Sequence, residues 1–512
     1  MNMKRIIGSF LIIAGLLIDA NVLACTTIIV GRGATDDGSL IIARNEDTSG
    51  PAEAHNLIFH PARKEGAFFR SNTIGNDDNN AFTCPLPKDA LAYTSFPYWK
   101  TQTKPNHSYE ETGINAYGVA MSATETIFNS PAALKADPYD VKKGLIEDSI
   151  TSIILPYATS AREGVRLLGE YMEKAGAGEG FGVAFMDGRE AWYFETASGH
   201  HWLSQRIPDD CFFVSANQGR FQTADMEDPM NVMSSPGLVA FAAAHGLYDP
   251  QSGPFNFFRA YVRDIENDKT YNYPRVRELL RIYSGLEYRS EDGLYPVFVK
   301  PKKKISVRDV AQGLRNRYEG TAHDPYQHRN PKEPYRPISV IRTTVSHITQ
   351  SRPDLPGDLA AVQYIALGMT ALSAYIPFYQ GLTDIPREYG VATDKADNVS
   401  VFWKYRKLQA LVMQDYPRFA PQVTAAAARL EKDIAGMQTK MEKEYLRVHR
   451  RDAGTAKKLI ASFTRAVLTK QERMLTDLTK RIAAALGMEN LSNEQYTEMI
   501  RKVEAAYHFH GS

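Results

Sequence analysis

The residue best suited to covalent chemistry is Cys25, one of only three cysteines in the 512-residue chain. It follows Val22-Leu23-Ala24, whose small or compact side chains suit a cleavage site immediately before the cysteine. A cysteine at a new N-terminus carries a nucleophilic thiol and, in its α-amino group, a base with a pKa of about 7.7–8.0. Such a thiol can be activated without a histidine.

The segment that precedes Cys25 has the organisation of a secretory signal peptide. Lys4 and Arg5 precede an apolar run from Ile6 to Ile18, which is short for a membrane span, since a spanning helix takes about 20 residues. We predict that residues 1–24 are removed on export, to a periplasm or to the outside of the cell. Two alternatives remain: an uncleaved membrane anchor, and a lipoprotein box in which the Cys25 thiol is acylated.

Composition excludes several other classes of protein. Sixty basic and fifty-nine acidic residues leave no overall field for nucleic acid or an anionic membrane. No later segment is apolar enough to span a bilayer, so no integral membrane segment is expected after cleavage. The histidines show no zinc-ligand spacing, and no calcium or phosphate motif is present, so we predict no metal and no organic cofactor. A homo-oligomer is compatible with the sequence.

The other two cysteines, Cys84 and Cys211, either pair with each other or remain as thiols. In either case, three cysteines are too few for a fold that depends on disulfides. If they pair, Cys25 is the odd thiol of an exported protein, which favours a chemical role for it.

Two predicted strands would position Cys25. They run from Thr26 to Val30 and from Ser39 to Ala43, and residues 31–38 between them are rich in turn formers. The two ends of a hairpin meet in space, so Cys25 should neighbour residues 44–47. There Arg44 could stabilise a thiolate and Asp47 could orient the ammonium group. A structural salt bridge between Arg44 and Asp47 is an equally good interpretation of this pattern alone.

The rest of the chain predicts a layered α+β fold. Two helices are expected at 140–159 and 160–175, and the second begins with the capping pattern of Ser160 and Glu163. Strands are expected at 181–186, 191–196, 201–207 and 212–216. This order favours two stacked antiparallel sheets flanked by helices.

From about Lys404 the sequence is rich in helix formers and predicts amphipathic helices that pack on the body of the protein. We therefore divide the chain into a signal peptide at 1–24, a catalytic domain at 25–390 and a C-terminal helical region at 391–512.

The sequence resembles the dipeptidase A family of cysteine peptidases, which is related to the choloylglycine hydrolases and penicillin V acylases. The likeness begins with Cys25 to Val30 and continues in Asp37-Gly38-Ser39 and Ala43 to Asp47. The similar segments farther along are Gly113 to Val119, Ser215 to Gln218, Asp249-Pro250, Gly253 to Phe257, Tyr318 to Thr321 and Pro377 to Tyr379. The resemblance therefore extends over nearly the whole mature chain.

This resemblance implies an N-terminal-nucleophile (Ntn) hydrolase with an αββα sandwich, needing neither metal nor cofactor. It makes Cys25 the nucleophile, Arg44 the cation beside the thiolate, Asp47 the acid that holds the α-amino group and Asn217 an oxyanion-hole donor. Taken alone, Asn217 would be a turn residue that satisfies its own backbone. The long helical C-terminus resembles the dipeptidase branch, which implies dipeptide substrates. Bile-salt or penicillin-type amides are the alternative substrates for such a hydrolase.

Overall fold

The computed structural model describes residues 25–48, 50–71, 80–98, 110–289 and 293–509. The predicted signal peptide lies outside the described residues. Within them, the chain forms the following strands: β1 Thr26–Val30, β2 Leu40–Asp47, β3 Ile58–His60, β4 Ala67–Arg70, β5 Thr83–Leu86, β6 Tyr93–Pro97, β7 Glu110–Asn115, β8 Ala120–Thr126, β9 Phe181–Met186, β10 Ala191–Thr196, β11 Trp202–Arg206, β12 Phe212–Ser215, β13 Val232–Ser234, β14 Thr343–Ser351, β15 Ala361–Leu367 and β16 Ile376–Tyr379.

The α-helices of the same described segments are α1 Pro131–Ala136, α2 Glu147–Ile154, α3 Ala161–Ala175, α4 Leu238–Ala244, α5 Phe257–Tyr261, α6 Asp268–Tyr271, α7 Tyr273–Ser284, α8 Val307–Leu314, α9 Gly357–Ala360, α10 Arg387–Gly390, α11 Val401–Val412, α12 Tyr416–His449, α13 Ala453–Leu486 and α14 Asn493–Ala506. None of these helices is both long and apolar enough to cross a membrane.

The strands form two antiparallel sheets and a ribbon. The six-stranded sheet has the order β12-β1-β2-β14-β15-β16, and the eight-stranded sheet has the order β13-β11-β10-β9-β8-β7-β6-β3. Strands β4 and β5 pair separately. Strand β1 lies between β12 and β2, so residues near its start have neighbours on both sides.

Apolar side chains alternate along the strands and produce a helix–sheet–sheet–helix layering. Ile29 and Ile42 of the six-stranded sheet pack with residues of the eight-stranded sheet between the two layers. Ile28 and Ala43 face the opposite way, onto α7 and α8. The outer face of the eight-stranded sheet is covered by α2 and α3. The predicted stacking of antiparallel sheets between helices is thus present.

The C-terminal helices α11 to α14 share one apolar core with β15 and β16. Polar contacts reinforce this packing: Glu442 of α12 accepts hydrogen bonds from Arg352 at 2.8 Å and from the Tyr379 hydroxyl at 2.5 Å. Buried Arg406 of α11 pairs with Glu504 of α14. The prediction of a C-terminal helical region is confirmed.

Two local predictions need correction. Strand β2 runs through Asp47 instead of ending at Ala43, because residues 44–47 continue the pairing with β14. The helix predicted over 140–159 spans only Glu147–Ile154. Its first part is a turn, in which the Asp140 carboxylate accepts from the backbone N–H groups of Lys142 and Lys143. Cys84 and Cys211 are free thiols and do not pair.

Candidate active site

Strands β1 and β2 bring Cys25 and Arg44 together. Thr27 lies opposite Arg44, so the side chains of Cys25 and Arg44 project from the same face of the sheet, toward the eight-stranded layer. Arg44 Nη1 lies 3.7 Å from Cys25 Sγ, and both side chains are buried. The structure therefore places a guanidinium against the thiol, as the hairpin prediction required.

The Arg44 guanidinium is held in place by the facing sheet. Its Nη2 atom donates to the Glu111 carboxylate and, at 2.9 Å, to the backbone oxygen of Ala123. Burial by itself would lower the pKa of Arg44, but the Cys25 thiolate and the Glu111 carboxylate raise that pKa above its ordinary value. Arg44 is thus a fixed positive charge beside the sulfur atom.

A histidine also lies close to Arg44. His347 of β14 is opposite Arg44 in the register, and its Nε2 atom is 2.9 Å from the Ser122 hydroxyl. Burial and the Arg44 charge lower the pKa of His347 well below its ordinary value. His347 is therefore neutral and does not add a second cation to the site.

Asp47 projects from the other face of β2, toward the helices. Its Oδ2 atom accepts from Arg336 Nη2 at 2.5 Å and its Oδ1 atom accepts from the Thr343 hydroxyl at 2.5 Å. Burial raises the pKa of Asp47, and the neighbouring Arg336 and Thr343 oppose that rise. A salt bridge between Arg44 and Asp47 would need the two side chains on one face, whereas they lie on opposite faces of the strand.

Asn217 lies just beyond the end of β12, the strand on the other side of β1. Arg275 of α7 connects it to the cysteine: Nη1 donates to the Cys25 backbone oxygen at 2.5 Å, and Nη2 donates to Asn217 Oδ1 at 2.9 Å. Because Oδ1 accepts from Arg275, the amide nitrogen Nδ2 must be the donor, and it lies 3.1 Å from the Thr126 backbone oxygen. The orientation of the amide is thereby fixed.

Three further side chains converge on the same side of β2 as Arg44. The carboxylates of Glu46 and Glu111 and the imidazole of His55 are buried, with one potential ligand atom of each lying within 4.8 Å of the others. His55 Nε2 lies 3.3 Å from Glu46 Oε1. Burial and the neighbouring Glu46 raise the pKa of Glu111 well above its ordinary value. Acceptor atoms of this composition could hold a cation.

The sequence analysis did not assign roles to Arg275, Glu111 or Glu46. Arg275 could have been found, because it lies on the face of α7 that carries Val276 and Leu279, where a charged residue is unusual. Glu46 follows Arg44 by two residues in the segment from Ala43 to Asp47. Residues two apart on a strand lie on the same face, so Glu46 and Arg44 share one face of the sheet. No local pattern distinguishes Glu111, because its contact with Arg44 joins two different sheets.

Comparisons with known proteins identify the family of this chain. The sequence model of Peptidase family C69 matches residues 24–429, a span that includes Cys25, Arg44, Asp47 and Asn217. The chain belongs to peptidase family C69. It is therefore a hydrolase of peptide bonds, and the resemblance noted in the sequence is confirmed at the level of the family.

Relatives in this family are similar over most of their length. A probable dipeptidase of Salmonella dublin is 51% identical over 376 residues, which cover 73% of this chain and 84% of the relative. A probable dipeptidase of Latilactobacillus sakei is 36% identical over 405 residues, which cover 77% and 82%. The dipeptidase A of Lactobacillus helveticus is 31% identical over 389 residues, which cover 74% and 80%.

Proposed function

We propose that this chain is an exported cysteine dipeptidase of the Ntn-hydrolase type, in which removal of residues 1–24 makes Cys25 both the nucleophile and the N-terminus. The observation that carries the proposal is the 3.7 Å separation between Cys25 Sγ and Arg44 Nη1 at the start of β1. A buried guanidinium favours the thiolate form of a neighbouring cysteine. Relatives that are named dipeptidases support peptide substrates over bile-salt or penicillin-type amides.

The proposed reaction is an acyl transfer in two steps. The α-amine of Cys25 takes the thiol proton, and the thiolate attacks the carbonyl carbon of the substrate. The resulting oxyanion accepts a hydrogen bond from the amide of Asn217. The proton then passes from the α-ammonium to the leaving nitrogen as the peptide C–N bond breaks, which releases the second amino acid and leaves the first as a thioester on Cys25. Water attacks the thioester, the first amino acid is released and the thiol is restored.

The remaining residues keep these groups in place. Asp47, fixed by Arg336 and Thr343, is the acid that holds the Cys25 ammonium, since its oxygens have lone pairs beyond those two contacts. Arg275 is a positioning residue, because it binds the backbone oxygen of Cys25 and orients the Asn217 amide. Under this proposal residues 25–390 form the catalytic domain, and 391–512 form a helical region packed on it.

Hydrolysis of a dipeptide panel tests the proposal, comparing the chain that begins at Cys25 with its Cys25→Ala variant. We expect release of amino acids by the first and none by the second, since the thiol is the attacking atom. Residual activity above about 10% in Cys25→Ala, with an unchanged melting temperature, would contradict the nucleophile. Intact mass distinguishes the lipoprotein alternative, because acylation of Cys25 adds a diacylglyceryl group.

A further inference from the structure

We propose that Glu46, with His55 and Glu111 beside it, binds the free ammonium group of the substrate and thereby restricts the enzyme to peptides with an unblocked N-terminus. This inference rests on the proposed function and identifies the recognition element that a dipeptidase needs. It assigns to these three side chains a role that the thiol chemistry itself does not require.

The position of Glu46 suits recognition of the substrate ammonium. When the register of β1 and β2 is continued one residue beyond Thr26 and Asn45, Cys25 lies opposite Glu46. Directly opposed residues of an antiparallel pair have Cβ atoms about 4.5–5.5 Å apart. In a dipeptide the ammonium nitrogen is only about 2.5 Å from the carbonyl carbon under attack, as bond lengths and angles dictate. An acid that recognises this ammonium must therefore lie next to the nucleophile, and Glu46 does.

Asn217 and Glu46 lie on opposite sides of Cys25. Asn217 follows β12 on one side of β1, whereas Glu46 belongs to β2 on the other side. A substrate carbonyl that points its oxygen toward Asn217 presents the opposite side of its carbon to β2. The ammonium-bearing α-carbon then lies on the side of Glu46. One orientation of a dipeptide thus satisfies both the proposed oxyanion donor and the proposed ammonium site.

The buried side chains of Glu46, His55 and Glu111 have hydrogen-bonding capacity that the described residues do not use. Glu46 is only 1% exposed, and neither of its carboxylate oxygens has a hydrogen-bond partner among the described residues. The same holds for Glu111 Oε1 and for His55 Nε2. His55 Nδ1 lies 3.2 Å from the Glu53 backbone oxygen, which can only accept, so Nδ1 carries a proton; in the singly protonated ring Nε2 is then an acceptor.

When Glu111 is ionised and His55 carries its one proton on Nδ1, the three side chains offer three acceptors, which match the three N–H donors of an ammonium group. Acceptors in tetrahedral directions around one ammonium nitrogen, with hydrogen bonds of about 2.8 Å, lie about 4.6 Å apart. The ligand atoms of Glu46, His55 and Glu111 lie within 4.8 Å of one another. A divalent metal fits less well, because Arg44 is fixed on Glu111 and would repel a double charge more strongly than an ammonium.

The test compares L-alanyl dipeptides with the corresponding propionyl-amino acids, which differ only in lacking the ammonium group. For the wild-type chain beginning at Cys25 we expect kcat/KM to be at least about 100-fold higher for the alanyl substrates, since buried acceptors left without their donor discriminate strongly. Glu46→Gln should reduce this preference at least about tenfold, mainly by raising KM for the alanyl substrates.

Glu110→Gln is the matched control. Glu110 is also a buried glutamate, on the same strand as Glu111, but it faces away from the site and accepts hydrogen bonds from Ser95 at 2.7 Å and Ser152 at 2.8 Å. This variant should keep the wild-type preference. If Glu46→Gln does not fold, Glu46→Asp replaces it, and should keep a preference for alanyl substrates while raising their KM.

The outcomes are distinguishable. If the wild type cleaves neither substrate class, the proposed function fails and the inference fails with it. Equal cleavage of alanyl and propionyl substrates by the wild type leaves the hydrolase intact but overturns the ammonium site. Glu46 variants that lose the same fraction of kcat/KM on alanyl and on propionyl substrates would also overturn the ammonium site. Loss of activity in EDTA that Zn²⁺ restores would overturn the inference in favour of a metal site.

Discussion

The two faces of β2 use buried charge in different ways. Asp47, on the helix side, has both carboxylate oxygens occupied by Arg336 and Thr343. Glu46, the adjacent residue on the sheet side, is equally buried at 1% exposure but has no hydrogen-bond partner among the described residues. Because side chains alternate along a strand, these two adjacent residues place their carboxylates on opposite faces of the sheet.

This difference distinguishes a structural carboxylate from one that is set up for a ligand. A buried carboxylate is costly unless it is paired, so the pairing of Asp47 with Arg336 stabilises the fold once formed. A buried Glu46 without a hydrogen bond among the described residues costs stability, and a protein that keeps such a group gains something else from it. In the two proposals above, Asp47 holds the Cys25 ammonium and Glu46 recognises the substrate.

The largest expected effect on stability comes from removing the ion pair between Asp47 and Arg336. Asp47→Asn leaves the buried Arg336 guanidinium without its counter-charge, so we expect the free energy of unfolding to fall by about 3–5 kcal/mol. Glu46→Gln, the matched substitution on the other face, removes a buried charge that has no hydrogen bond among the described residues, and should leave stability unchanged or higher. Urea denaturation of both variants measures the contrast. Equal losses of stability would contradict the distinction between the two faces.

Asn217→Ala tests the proposed oxyanion donor, the amide nitrogen of a residue whose amide oxygen accepts from Arg275. We expect kcat to fall about 10²–10³-fold, equivalent to about 3–4 kcal/mol, with little change in KM, because the amide acts on the oxyanion. Steady-state kinetics on the best dipeptide, with a melting curve as control, gives the answer. A change confined to KM would make Asn217 a binding residue.

Much of this arrangement follows from the sequence. The turn-rich segment between two β-branched runs predicts the hairpin, and the hairpin brings Arg44 to Cys25. The strands at 181–186 and 191–196 also have the predicted bounds, because their apolar runs are flanked by clear turn residues. The local sequence pattern predicts the structure correctly where the residues in contact are close together in the chain.

Long-range contacts account for what the sequence did not predict. The extension of β2 depends on pairing with β14, roughly three hundred residues later, and this pairing orders residues 44–47 as strand. Arg275, Arg336 and Glu111 reach the site from separate elements, so no spacing in the sequence indicates their roles. The surroundings of Glu46, whose carboxylate has no hydrogen bond among the described residues, depend on how the two sheets stack.

The most direct test of the account concerns the N-terminus of Cys25. A chain that retains Ala24 has an amide nitrogen where the proposed base must be, so we predict a fall in dipeptide hydrolysis of about 10²–10⁴-fold relative to the chain that begins at Cys25. Activity should return as Ala24 is removed, with intact mass recorded on the same samples. Full activity in a chain whose mass still includes Ala24 would contradict the α-amine as base and, with it, the Ntn mechanism.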